Sequence, residues 1–161
     1  MPTFKATLGF ILMAFSIELQ SPVWAQDQSL AFARVLAADL KWAPLPVMPK
    51  GAQSVVLHGS PGKPGLFTMR VKLPANYKVP VHTHPDERVR TIISGTYYSA
   101  VGDTVDASKL MAFPPGTFTH LPPKVWEFSE TRDEEVVFEI TGVGPTSFDY
   151  LNPSDDPRKP K

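Results

Sequence analysis

From residue 53 onward, short apolar stretches are cut at close intervals by proline, glycine and small polar residues. The stretches at 53–58, 66–73, 79–82, 89–93, 96–101, 110–113, 117–121, 125–129 and 134–141 have the length and the β-branched and aromatic content of strands. Strand-length runs recurring about every 8–12 residues, with turn chemistry between them, predict an all-β sandwich or barrel. Helical bundles and parallel α/β sheets fit this punctuation poorly.

The rest of the chain reads differently. Residues 29–36, SLAFARVL, hold good helix formers and no breaker, with Asp27 or Ser29 as cap, so one short N-terminal helix is expected there. Between 42 and 50, Pro44, Pro46 and Pro49 exclude a central strand and predict an extended linker wrapped over the domain. The tail, NPSDDPRKPK from Asn152, is polar and proline-rich, and is expected to be an ordered strap that frays at its end.

At the start of the chain, Lys5 precedes an apolar run over 8–17, which is followed by a polar stretch and Val23-Trp24-Ala25. That is the layout of a secretory signal peptide cleaved after Ala25. Crossing a bilayer takes roughly 20 apolar residues, and Glu18 interrupts this run early. The expected division is a signal peptide at 1–25, the short helix and proline-rich linker at 26–50, one barrel domain at 51–151 and the tail at 152–161. A periplasmic or secreted protein with no stable membrane insertion after cleavage is implied.

Composition narrows the chemistry. Sixteen basic and sixteen acidic residues cancel, and no basic run is interleaved with aromatics, so no nucleic acid partner is expected. There is no cysteine, which excludes disulfides and thiolate metal sites and leaves imidazole, carboxylate and water as ligands. Four histidines are available: His58, His82, His84 and His120. No G-x-S-x-G elbow, P-loop, dinucleotide fingerprint or H-E-x-x-H is present. The acidic group Asp133, Glu134 and Glu135 reads as a solvated turn.

The most informative segment is Val79-Pro80-Val81-His82-Thr83-His84-Pro85-Asp86-Glu87-Arg88. Alternate side chains of a strand share a face, so the H-x-H pair puts two imidazoles on one side, close enough to grip one ion. His120 shares a face with Phe118 and reads either as a packed or surface histidine or as a group that contacts substrate. His58, beside a Gly-Ser-Pro-Gly turn, reads as surface. Tyr97, Tyr98, Trp126 and Phe128 are core or pocket-lining aromatics.

Downstream come Ile93-Ser94-Gly95-Thr96, Phe113-Pro114-Pro115-Gly116-Thr117-Phe118 and Leu121-Pro122-Pro123-Lys124-Val125-Trp126-Glu127. With the histidine pair, these resemble the two motifs of the cupin superfamily: H-x-H-x3-E followed by a glycine, then P-x-G with a histidine on the next strand. The resemblance is closest to small single-domain cupins of the RmlC-like type. Their further landmarks appear here as Pro61-Gly62-Lys63-Pro64-Gly65, Leu73-Pro74-Ala75, Gly102-Asp103, Gly142-Val143-Gly144-Pro145 and Asn152-Pro153-Ser154-Asp155-Asp156-Pro157-Arg158. The resemblance spans Trp42 to Arg158. It implies a cupin-type double-stranded β-helix, that is, a jelly-roll barrel around a small-molecule pocket. It also implies a homodimer and a reaction menu of dioxygenation, decarboxylation, isomerisation and lyase chemistry.

The chain departs from that pattern at two ligand positions. The ligand glutamate, seven residues before Gly95, falls on Arg88, and the last histidine falls on Glu127. If Glu127 points inward, His82, His84 and Glu127 form a two-imidazole, one-carboxylate set that suits Fe(II) and tolerates Mn, Ni or Zn, with positions open for water or substrate. A guanidinium repels a divalent cation, so Arg88 needs another role. It pairs with Glu127 in a metal-free pocket, or receives the anionic group of a substrate, or turns to solvent through a bulge that brings Glu87 inward as a ligand instead. The expected function is that of an exported cupin-domain protein, either a metal-dependent enzyme acting on a small, anionic organic molecule or a non-catalytic binding or sensor module.

Overall fold

Alternation of inward apolar and outward polar side chains builds two antiparallel sheets in the computed structural model, which describes residues 34–159. The segment expected to be a signal peptide and most of the expected helix at 29–36 lie outside the described residues. Within that helix's last positions Leu36 is extended, and a single 3-10 turn follows at Ala37–Asp39. All strands among the described residues belong to one unit that begins at Val35. No helix among the described residues is long and apolar enough to cross a membrane.

In chain order the strands are β1 (Ala43–Pro44), β2 (Gln53–His58), β3 (Gly65–Leu73), β4 (Lys78–Thr83), β5 (Arg88–Ser94), β6 (Tyr97–Val101), β7 (Met111–Phe113), β8 (Phe118–Leu121), β9 (Glu127–Glu130), β10 (Val136–Gly144) and β11 (Asp149–Tyr150). One sheet has the order β1-β2-β3-β10-β5-β8 and the other β11-β4-β9-β6-β7. Each of the nine stretches predicted from the sequence overlaps one strand. The two-residue strands β1 and β11 were not anticipated, because two residues carry no readable alternation.

The core lies between the sheets. From β3 it takes Phe67, Met69, Val71 and Leu73, from β10 Val136, Phe138 and Ile140, and from the opposing sheet Val79 and Tyr97. Period two decides this: along β3 every second side chain is buried. Gly95, between β5 and β6, has φ +69, and a Cβ there would lie 2.3 Å from the Glu135 carbonyl oxygen. Only glycine makes that turn without moving the backbone of the neighbouring strand.

The proline-rich stretch runs along the edge of the first sheet. Ala43–Pro44 pairs with β2 as an edge strand, where the missing proline N–H costs nothing. Leu45, Val47 and Met48 then pack onto the core. The Tyr150 hydroxyl donates to the Val47 carbonyl at 2.9 Å, and the Tyr77 hydroxyl donates to that of Pro49.

Candidate metal centre and ligand cavity

A bulge in β4 sets the register of the centre. Val79 faces Ser129 and His82 faces Glu127, so three steps on β4 match two on β9. Pro80, which has no N–H to give to the ladder, sits in this irregularity. Its free carbonyl lies 2.8 Å from His82 Nδ1. A carbonyl only accepts, so Nδ1 carries the hydrogen and Nε2 is the atom turned toward Glu127. His84 Nδ1 lies 2.7 Å from the Ser147 carbonyl, with the same consequence. Burial, then the neighbouring charge of Arg88 and His82, pushes the His84 pKa down to about 2, so its Nε2 is a bare lone pair.

Both Nε2 atoms converge on one oxygen of Glu127: Oε1 lies 3.5 Å from His82 and 4.0 Å from His84. One ligand atom from each of the three residues lies within 4.8 Å of the others, and all three residues are buried. Ligands held about 2.1 Å from a shared ion sit about 3.0–3.4 Å apart, so the set closes on a first-row divalent cation with small side-chain movement. The donor chemistry agrees. The imidazoles are oriented by backbone carbonyls, the arrangement that fixes metal-ligating histidines in general.

The residue that the sequence reading overlooked is Arg90. Along β5 the side chains of Arg88, Arg90 and Ile92 all point inward. Arg90 Nη2 donates to Glu127 Oε1 at 2.8 Å, and Nη1 lies 3.4 Å from Oε2. Its guanidinium stands over the rings of Tyr97 and Phe138, at 4.9 and 5.2 Å from their centroids. Arg90 Nε is buried without a hydrogen-bond partner among the described residues. Burial by itself would raise the Glu127 carboxyl, but the Arg90 guanidinium and His82 hold it well below the usual carboxylate range. The signal was available in the alternation of Arg88 and Arg90. Its meaning was not, because Glu127 comes from a different sheet.

Arg88 corrects two expectations. It does not pair with Glu127, and it does not turn to solvent. It is buried and donates from Nε and Nη2 to both oxygens of Asp86, at 2.7 to 3.1 Å, with a further bond from Nη2 to Thr146. Burial pulls its pKa below the usual value, and Asp86 pulls the other way. Glu87 stays outside, 68 % exposed, and pairs with His120 at 2.7 Å. The structure thus contradicts Glu87 as an inward ligand: Arg88 and not Glu87 shares the inward face with Arg90. His120 is about half exposed at the rim of a second recess of about 210 Å³, which Arg90, Ser99 and Glu127 also border. Trp126 and Phe128 pack in a second cluster with Val81 and Ala100, while Tyr97 donates to Ser129 Oγ at 2.6 Å and lines the main cavity. Tyr98 packs instead against the Arg132 guanidinium, 3.8 Å from its ring centroid.

That main cavity has a volume of about 330 Å³. Leu45, Val47, Met69, Val71, Phe138 and Ile140 form its apolar wall, and His82, His84, Arg88 and Arg90 line it too. The segment after β10 closes it. Thr146 bonds the Asp86–Arg88 pair, Ser147 fixes His84, and Phe148 stacks flat on His82 with ring centroids 4.0 Å apart. Pairing of Asp149 and Tyr150 with Thr83 and His82 holds the segment down, and Arg158 of the tail donates to the Phe148 carbonyl at 2.8 Å.

No protein-family model and no curated protein matches the chain. Solved structures do. The polyketide cyclase RemF from Streptomyces resistomycificus aligns with TM-score 0.63 and 18% identity over 78% of this chain and 89% of that one. The DMSP lyase DddQ from Ruegeria pomeroyi aligns with TM-score 0.58 and 20% identity, over 72% and 63%. An RmlC-like cupin from Shewanella frigidimarina aligns with TM-score 0.53 and 13% identity, over 68% and 87%. Together with the two antiparallel sheets and the inward histidine pair, these define the class: the fold is the cupin jelly roll. Within that class this chain carries a buried His, His, Glu set with an arginine on the glutamate.

Proposed function

We propose that this chain is an exported, metal-dependent cupin enzyme acting on a small anionic organic molecule. The observation that carries the reading is the convergence of His82 Nε2 and His84 Nε2 on Glu127 Oε1, with both histidines lining a cavity of ligand size. A divalent ion held by these three residues supplies Lewis-acid or redox chemistry. The protein's own groups do the rest. Arg88, clamped by Asp86, presents its remaining nitrogen to an anionic group, and the apolar wall excludes water from the body of the ligand. Solved structures of a polyketide cyclase and a DMSP lyase on this barrel support a catalytic role. Export rests on the apolar run at 8–17 ahead of Ala25, and pairing into a homodimer on the cupin resemblance.

Elemental analysis of the purified mature protein tests this reading. Stoichiometric metal in the wild type, lost in His82→Ala and in Glu127→Ala, is the expected result. Absence of metal from the wild type after incubation with Fe(II), Mn(II), Ni(II) and Zn(II) would sink it. A second reading, a non-catalytic module that captures a small ligand without metal, is favoured by one observation: Arg90 already satisfies the Glu127 carboxylate.

A further inference from the structure

Four ionised side chains meet around the cavity, and their charges cancel. Asp86 and Arg88 form one buried pair, and Glu127 and Arg90 the other, each member under 8 % exposed. A divalent cation on His82, His84 and Glu127 would therefore bring two uncompensated positive charges into a buried site that already holds two guanidiniums. Isolated charge in such a place is among the costliest things a protein can hold. An anion entering the same cavity removes part of that cost. The walls say what kind of anion: Met69, Val71, Phe138 and Ile140 offer no polar group to its body. At the charged end, the bonds of Arg88 run through Nε and Nη2, which leaves Nη1 as a free donor among the described residues.

We infer that the site takes up its divalent cation together with an apolar carboxylate, and that Arg90 makes the two depend on each other. The inference rests on the metal reading above and deepens it. Arg90 is a positioning residue here: it compensates Glu127 when the ion is absent and becomes an excess charge when the ion is present. Linkage makes the effect reciprocal, so the carboxylate tightens the metal by the same factor as the metal tightens the carboxylate.

Equilibrium dialysis of Zn(II) or Mn(II) into the wild-type protein, alone and with benzoate or benzamide, tests this. The two probes share shape and differ in charge. Benzoate should tighten metal uptake at least tenfold and benzamide should leave it unchanged. Arg90→Met should bind the metal more tightly than wild type without any anion and lose most of the benzoate effect, while Arg90→Lys should keep it. Tight, stoichiometric uptake that is indifferent to benzoate would overturn the inference and leave the metal reading standing. No uptake under either condition would overturn both. An equal response to benzamide would overturn the role of charge. Even if Arg90→Met does not fold, the wild-type comparison decides the coupling of metal and carboxylate.

Discussion

Arg90 Nη2 and His82 Nε2 compete for one atom: Glu127 Oε1 lies 2.8 Å from the first and 3.5 Å from the second. A carboxylate oxygen has two lone pairs, so a guanidinium on one side leaves the other free for a cation beside the imidazole. The same geometry gives Glu127 a structural role beside the one proposed for it as a ligand. Removing one partner of a buried ion pair costs about 3–5 kcal/mol, because the survivor stays charged and uncompensated. Glu127→Ala should therefore lower the unfolding free energy by about that amount in urea titrations, while His82→Ala should cost less. If the two were equally mild, the Arg90–Glu127 pair would not be closed in solution.

The second ion pair makes a different prediction, since neither partner is a ligand. Asp86→Leu alone and Arg88→Met alone should each destabilise by about 3–5 kcal/mol, and the double replacement should recover much of that loss. A double-mutant cycle in denaturant measures the coupling. Under the proposed function, carboxylate binding should be lost in the double variant even where stability returns, because Arg88 is the group proposed to offer a free nitrogen to the ligand.

Acid should loosen this protein through the same site. The folded His84 pKa, pushed down to about 2, lies below its unfolded value of 6.5, so between these values the unfolded chain binds the extra proton. Stability then rises with pH through that window and is lost as pH falls. Glu127, held well below 4.5 in the fold, adds a loss of the same sign on further acidification. Melting temperatures measured from pH 7 down to pH 4 should fall steadily, and His84→Gln should flatten the upper part of that curve. A flat wild-type profile between pH 6.5 and pH 5 would contradict the burial of a neutral His84.

Gly142 pairs with Arg88 across the sheet, and a Cβ there would come within 3.0 Å of Asp86 Oδ2 and 3.1 Å of the Phe67 ring. Neither neighbour is free to retreat, one being clamped and the other in the core. Gly142→Ala should cost about 1–3 kcal/mol, as overpacking does. Thermal unfolding beside a control substitution at an exposed site on the same strand, Val143→Ala, checks it.

Exposed contacts should matter least. The His120–Glu87 pair lies at the surface, where such pairs contribute about 1 kcal/mol or less. His120→Ala should leave stability and metal content at wild-type levels. A change in ligand affinity in that variant, with metal unchanged, would show that the recess beside His120 takes part in binding.

The strands were legible in the sequence because period two is a local property. Pro and Gly marked where each run stops, and the spacing of His82 and His84 put both imidazoles on one face before any partner was known. The same alternation runs through Arg88 and Arg90, but it left the direction of Arg88 open, with a bulge to solvent as one alternative, and Arg90 was passed over. What they bond was not legible, because the decisive partners arrive from elsewhere. Glu127 reaches Arg90 across the barrel, and Thr146, Ser147 and Phe148 return from far along the chain to lock Arg88, His84 and His82.

The sequence by itself therefore determined the barrel, the inward histidine pair and the loss of the usual ligands at two positions. Only the tertiary structure decided that the two arginines are each neutralised by a different carboxylate, so that Glu127 stands between a guanidinium and two imidazoles. The physical reason is range. Alternation along a strand is set by the backbone of neighbouring residues, whereas the pairing of buried charges is set by which strands the sheets and the closing segment bring within about 3 Å of each other.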